Sequence, residues 1–265
     1  MKAAHALLAL RAVAGREIHK FVRQPGRLVS SLVRPALWLV VFAAGFQNVF
    51  GVAIQPPYET YVEYRVYMVP GLAMMVCLFN GMQSSLAMVY DREMGVMRLL
   101  LTAPLPRAYL LACKLLGATF LSVLQAVAFF MLAMLFDIDL SIKQIAIAMP
   151  IVALGALMLS AFGLMLSVYV KQLENFAGTM NFVIFPMFFL STALYPLWKI
   201  EESGAQWIYA ITRVNPFTHA IEALRFSLYG QIEPTSLAVV AASTIVFYLV
   251  AAVGYDPQRS LIKSG

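Results

Sequence analysis

The chain has 265 residues, of which 62% are hydrophobic and only 12% charged, with a mean hydropathy of +0.80. So few polar residues cannot cover the surface of a water-soluble domain, which excludes the ordinary globular classes and leaves lipid as the solvent. The 19 Lys and Arg against 13 Asp and Glu then bear first on membrane topology, since no nucleic-acid motif accompanies them.

The opening stretch, MKAAHALLALRAVAGREIHKF, is too interrupted by Arg and His for a signal peptide. Residues 5–23 instead have a helical period. Leu7, Leu10, Ala14, Ile18, Phe21 and Val22 gather on one side, opposite His5, Arg16, His19, Lys20 and Arg23. A basic amphipathic helix of this kind lies along a membrane surface with its cations toward anionic headgroups. It serves either as a topology anchor alone or also as a contact for a partner.

Six apolar runs follow, each near the roughly 20 residues that a spanning helix needs. They are 32–52, 66–90, 107–136, 142–170, 177–197 and 236–255. With the N-terminus inside, the internal segments collect fourteen of the Lys and Arg, from Lys2 to Lys263, and the external segments keep Arg65, Lys143, Lys199, Arg213 and Arg225. That bias fixes both termini on the cytoplasmic side. Cys77 and Cys113 fall in different runs without ligand spacing and read as small buried hydrophobes.

Between the second and third runs lies DREMGVMRLLLTAPLPR, residues 91–107. Asp91 and Glu93 suit the first turn of a helix, where the dipole favours acids. Met94, Met97, Leu100 and Leu101 continue at helical spacing until Pro104 and Pro106 stop it. The segment is either a lever between two spans or a mere re-entry turn lying against the membrane.

An external region follows the fifth run and carries Trp198, Trp207, Tyr209 and Tyr229, aromatics suited to an interface. Asn215-Pro216 is a helix-start signal, and FTHAIEALRFSLYG continues it to Gly230. This helix is too short and charged to span, so it is expected to be interfacial or re-entrant. Pro186 in the fifth run marks a kink. The predicted fold is all-α and integral to the membrane: six spans, an N-terminal interfacial helix and an external re-entrant hairpin between spans 5 and 6. It is one domain over 1–265, divided into a cytoplasmic interfacial part (1–31), the spans (32–255) and a cytoplasmic tail (256–265).

The chemistry that would make this chain self-powered is missing from its motifs. The central parts of the spans hold essentially no ionisable group, so the acid site of an ion-coupled carrier is lacking. His219 and Glu222, three residues apart, suit an ordinary helix-face pair better than a metal site. No phosphate loop, Gly-x-Ser-x-Gly or His-Glu-x-x-His occurs, so no catalytic residue, metal or bound cofactor is expected.

The acid-Arg-Glu-x-Gly start at Asp91, the APLPR at 103–107 and Lys114 seven residues later resemble the signature of ABC-2 type permeases. NPFTHAIEALR, from Asn215 to Arg225, is similar to that family's Asn-Pro-x-x-x-x-x-Glu-x-x-Arg segment, and VPGLAMM at 69–75 is typical of it. The resemblance covers nearly the whole chain. It implies a homodimer of six-span subunits in a bacterial inner membrane, docked on two copies of a separate ATPase that binds ATP and Mg. It places Asp91, Arg92, Glu93, Gly95 and Arg98 in a coupling helix, with Arg16, Lys20 and Arg23 in the adjoining helix. Asn215, Pro216, Glu222 and Arg225 would belong to an external gate. Phe79, Asn80, Gln83, Asn181 and Phe185 would line a pathway for an amphipathic or uncharged cargo, such as a drug, a lipid or a lipid-linked glycan. The same Phe and Asn residues equally suit packing and hydrogen bonding between helices. The rival functions are a membrane assembly protein that recruits a cytoplasmic partner without transport, and an ion-coupled carrier.

Overall fold

The structure, a computed structural model, describes residues 11–16, 18–19, 23, 25–46, 56–58, 62–95, 106–136, 138–170 and 172–254. Its main helices are α1 (Pro25–Phe46), α2 (Tyr64–Glu93), α3 (Arg107–Met134), α4 (Ile142–Tyr169), α5 (Leu173–Phe189), α6 (Leu197–Glu202), α7 (Gln206–Val214), α8 (Pro216–Leu228) and α9 (Pro234–Gly254). Residues 11–16 and 18–19 are also helical. Among the described residues four helices, α2, α3, α4 and α9, are long and apolar enough to cross a membrane. The described apolar part of α1 is Leu32–Phe42, and α5 has 17 residues.

Helix α2 is the axis of the bundle, with α1, α3, α4, α5 and α8 packed around it and α9 set outside against α4. Its middle is sealed on nearly every side, from Met68 through Met82. Lipid supplies no hydrophobic drive between helices, so close approach of small residues has to hold them together. Gly81 of α2 meets Ser160 of α4 so tightly that an added Cβ would sit 3.0 Å from the Ser160 Cα. One turn on, a Cβ on Gly163 would lie 2.7 Å from the Ser85 Oγ. Both Cys77 and Cys113 are buried and free.

Several helix ends follow from local chemistry. Ser141 and Gln144 form a capping box at the start of α4, with Lys143 N donating to Ser141 Oγ at 3.3 Å and Ser141 N donating to Gln144 Oε1 at 2.8 Å. Asn215 caps α8, with Pro216 in its first turn as expected, and Gly230 at φ 70° follows its end.

Three boundaries differ from the sequence reading. The helix of the first apolar run, α1, begins at Pro25 rather than at residue 32, because proline suits the first turn of a helix. The fifth begins at Leu173 and ends at Phe189, eight residues before the expected 197. Beyond Phe189 the chain turns through Ser191–Leu194, and two short helices, α6 and α7, precede α8 where a simple hairpin was expected. The third difference is at Asp91 and Glu93, which lie in the last turn of α2 and not in the first turn of a separate helix. Gly95, at φ 71°, closes that turn with a backbone conformation that side chains resist.

Candidate functional site: the last turn of α2 and the Asn215–Arg225 cluster

Acids at the C-terminal end of a helix oppose its dipole, so each needs compensation from elsewhere. Asp91 is buried and accepts from Arg16 Nη2 at 2.8 Å, with Lys114 Nζ of α3 at 3.5 Å. Arg92 donates to the carbonyls of Ser167 at 2.9 Å and Val170 at 3.0 Å, at the C-terminal end of α4. Glu93 Oε1 accepts the backbone N–H of Leu173 at 2.8 Å and so caps the start of α5.

Successive helical residues point about 100° apart, so three in a row sweep most of the way around the axis. Here each finds a different neighbour. One turn of α2 therefore joins the N-terminal helical segment, α3, α4 and α5 through charged hydrogen bonds, the stronger kind. The sequence-predicted residues Arg16, Asp91, Arg92, Glu93 and Gly95 do come together at this turn. Arg23 lies in the turn before α1, where its N–H donates to the His19 carbonyl at 3.1 Å. Lys20, Arg98 and the segment 96–105 with Pro104 lie outside the described residues, as does the tail 256–265.

At the opposite end of α2 the second cluster forms around the break after α5. A helix end leaves carbonyls without intrahelical partners. Asn215 Nδ2 donates to two of them, Met187 at 2.8 Å and Leu190 at 2.7 Å, while its Oδ1 accepts from Phe217 N at 3.0 Å. A single side chain thus closes α5 and opens α8. Arg225 is only 3% exposed. Its guanidinium pairs with Glu222, donates to the Thr192 carbonyl at 2.9 Å and lies 4.0 Å from the centroid of the Tyr67 ring. The Tyr67 hydroxyl donates to the same carbonyl at 3.0 Å. Burial pushes the Tyr58 hydroxyl beside this group up from its ordinary pKa, so it stays protonated.

Asn215, Pro216, Glu222 and Arg225 thus all lie along α8 and its cap, Asn215 against the end of α5 and Glu222 with Arg225 against the Thr192 turn. Tyr67, Thr192 and Tyr58 were missed, because nothing in their local sequence marks them as partners of a cation. His219 faces Ser236 Oγ at 3.3 Å and the Arg213 carbonyl at 3.0 Å, while Glu222 serves Arg225. Among the described residues no group of three or more possible ligands could hold a metal.

The five pathway candidates do not form one surface within the chain. Asn80 is buried and donates to the Ala118 carbonyl at 3.2 Å and to Ser122 Oγ at 2.7 Å, tying α2 to α3. Phe79 is also buried, with the Arg34 guanidinium 4.0 Å from its ring centroid. Gln83 is half-buried. Asn181 and Phe185 are exposed on α5, on the same face as Phe182 and Phe189.

Arg34 also corrects the expectation of spans without central charge. Phe79 is twelve residues from Asp91 along α2, a rise of about 18 Å, so the cation stands near mid-depth. The sequence reading had grouped Arg34 with the cytoplasmic segment, since it lies two residues into the expected span.

Residues 9–229 match the family model described as "ABC-2 type transporter". The chain belongs to the ABC-2 type transporter family. The ycf38 protein of Cyanophora paradoxa, which carries a transport-permease name, is 29% identical over 91% of this chain and 84% of its own length. "Inner membrane transport permease YadH" of Escherichia coli K12 is 23% identical over 92% of this chain and 93% of its own. "Daunorubicin resistance ABC transporter permease protein DrrB1" of Streptomyces coeruleorubidus is 24% identical, covering 81% and 73%. With four helices among the described residues long and apolar enough to cross, this ABC-2 chain is a multi-pass membrane transport permease.

Proposed function

We propose that this chain is the permease subunit of an ATP-driven exporter in a bacterial inner membrane. It works as a homodimer, each copy docked on one of two separate ATPase subunits that bind ATP and Mg. Helices α1 and α5 cross together with α2, α3, α4 and α9 to make six spans. The Lys and Arg bias supports cytoplasmic termini, which puts the Asp91 end inside and the Asn215–Arg225 end outside.

The observation that carries this reading is the last turn of α2. A force applied just beyond Gly95 is delivered to a turn that already grips α3, α4 and α5. A docked motor would therefore move several helices together and not one loop. Arg16 adds the N-terminal segment to the same grip.

The exposed face of α5 supports the dimer. An amide such as Asn181 facing hydrocarbon leaves its polar atoms unmet, so a second copy or a cargo suits that face better than lipid. Val33, Leu37, Val40 and Val41 on α1 are exposed as well. The pathway runs between these faces with Asn181, Phe185 and Gln83 beside Arg34, for an amphipathic or uncharged cargo. Phe79 and Asn80 hold the helices behind them.

The test uses the permease reconstituted with its ATPase. Gly95→Pro forces φ negative at a position that sits at 71°, and Glu93→Ala removes the cap on α5. Both are expected to lower permease-stimulated ATP hydrolysis several-fold while the complex still assembles. Stimulation equal to wild type in both would overturn the coupling role.

A further inference from the structure

A cavity of about 380 Å³ opens beside the Arg225 cluster, between α8, the Thr192 turn, Tyr58, Trp198 and the start of α9. A single water fills roughly 10–15 Å³ on this scale, so the space is that of a small-molecule site. Its walls carry an unusual concentration of unmet polar atoms. Tyr58 Oη, Thr192 Oγ1, Thr218 Oγ1, Trp198 Nε1 and Arg225 Nε are buried without a hydrogen-bond partner among the described residues. All five residues line this cavity, and Thr192, Thr218 and Arg225 are each at most 4% exposed. Groups in that position are costly to leave unmade, so convergence on one space points to an occupant.

The chemistry of the walls selects the occupant. Trp198 Nε1 and Arg225 Nε only donate, so the occupant must bring acceptor oxygens. The two threonine hydroxyls both donate and accept, so it should also bring donors. Formal charge balances: Arg213 and Arg225 stand against Glu222 and Glu233. Glu222 is held by Arg225, and Glu233 accepts the Ser236 N–H at the start of α9. A net anion or cation would therefore meet a like charge on one wall. Trp198 and Tyr58 add aromatic surface. From these features we infer that the cavity binds an uncharged, hydroxyl-rich headgroup, of the kind a sugar or polyol carries. The site rests on the topology proposed above for its place on the outer face, where it would receive a headgroup after passage.

Binding is measured on the full chain in nanodiscs, without ATPase or nucleotide, so its outcome is separate from that of the coupling test. The probes are radiolabelled octyl glucoside below its micellar concentration, methyl glucoside, octyl sulfate and octyltrimethylammonium. Saturable binding of a glucoside at least tenfold tighter than either charged probe is expected. Equal binding of the methyl and octyl forms would identify a free sugar as the ligand, and binding of the octyl form alone a lipid-anchored one; either supports the site. Trp198→Phe keeps the ring and removes the donor, and Thr218→Val keeps the shape and removes the hydroxyl. Each should weaken glucoside binding about five- to tenfold while the elution profile and helix content stay at wild type. Absence of saturable glucoside binding, preference for a charged probe, or full binding by both variants would overturn the inference.

Discussion

The two ends of α2 treat polar groups in opposite ways. At the Asp91 end, three consecutive charged side chains are consumed by neighbouring helix termini and by Arg16 and Lys114. At the Tyr67 end, Arg225 and Asn215 also brace the broken end of α5, but five buried polar atoms on the walls of an open cavity stay unpartnered among the described residues. The first is a joint, in which every contact resists separation. The second is a chamber, with hydrogen-bonding capacity held in reserve. Buried donors left unmet are costly, and their concentration on one cavity wall sets the second end apart.

The contrast can be broken most severely at Asp91. Asp91→Ala leaves Arg16 and Lys114 facing a buried void, and the loss should reach about 3 kcal/mol, the low end for a buried pair because Arg16 is partly exposed. Thermal unfolding in detergent measures it. Gly163→Ala, away from both ends, should cost about 1–3 kcal/mol by forcing Ser85 off its seat, read in the same assay. If Gly163→Ala proved the more damaging, the joint would matter less than the packing between α2 and α4. Asn215→Ala removes three hydrogen bonds at once, one of them a cap, for about 1–2 kcal/mol. It should also raise proteolysis in the 190–196 turn. Glu93→Gln is the mildest, since the amide oxygen still accepts from Leu173 N; about 0.5 kcal/mol is expected, with ATPase stimulation reduced less than by Glu93→Ala.

What could be read from the sequence divides along the same physical line. The start of α8 was legible, because Asn215-Pro216 carries its own cap chemistry within three residues. The capping box at Ser141 is equally local, and the apolar runs of α2, α3, α4 and α9 announce themselves by length alone. The end of α2 was not legible. Asp91 and Glu93 look like a helix start, and they are tolerated at a helix end because Arg16, 75 residues away in sequence, and Lys114 supply countercharge to Asp91, while the Leu173 N–H donates to Glu93. The end of α5 depends likewise on Asn215, which reaches back to carbonyls 25 and 28 residues earlier. Most of the residues at both clusters were named from the sequence, but not what they hold. Arg34 was misplaced for a related reason: only the packing of α1 on α2 sets its depth.

Asn215 has one further consequence. Its amide grips the closing turn of one helix and the opening turn of the next, much as a pin passes through two hinge leaves. While those bonds persist, α8 cannot swing without carrying the tip of α5 along. Opening of this end is therefore geared to tilt of α5, and would come as one correlated step instead of a gradual widening.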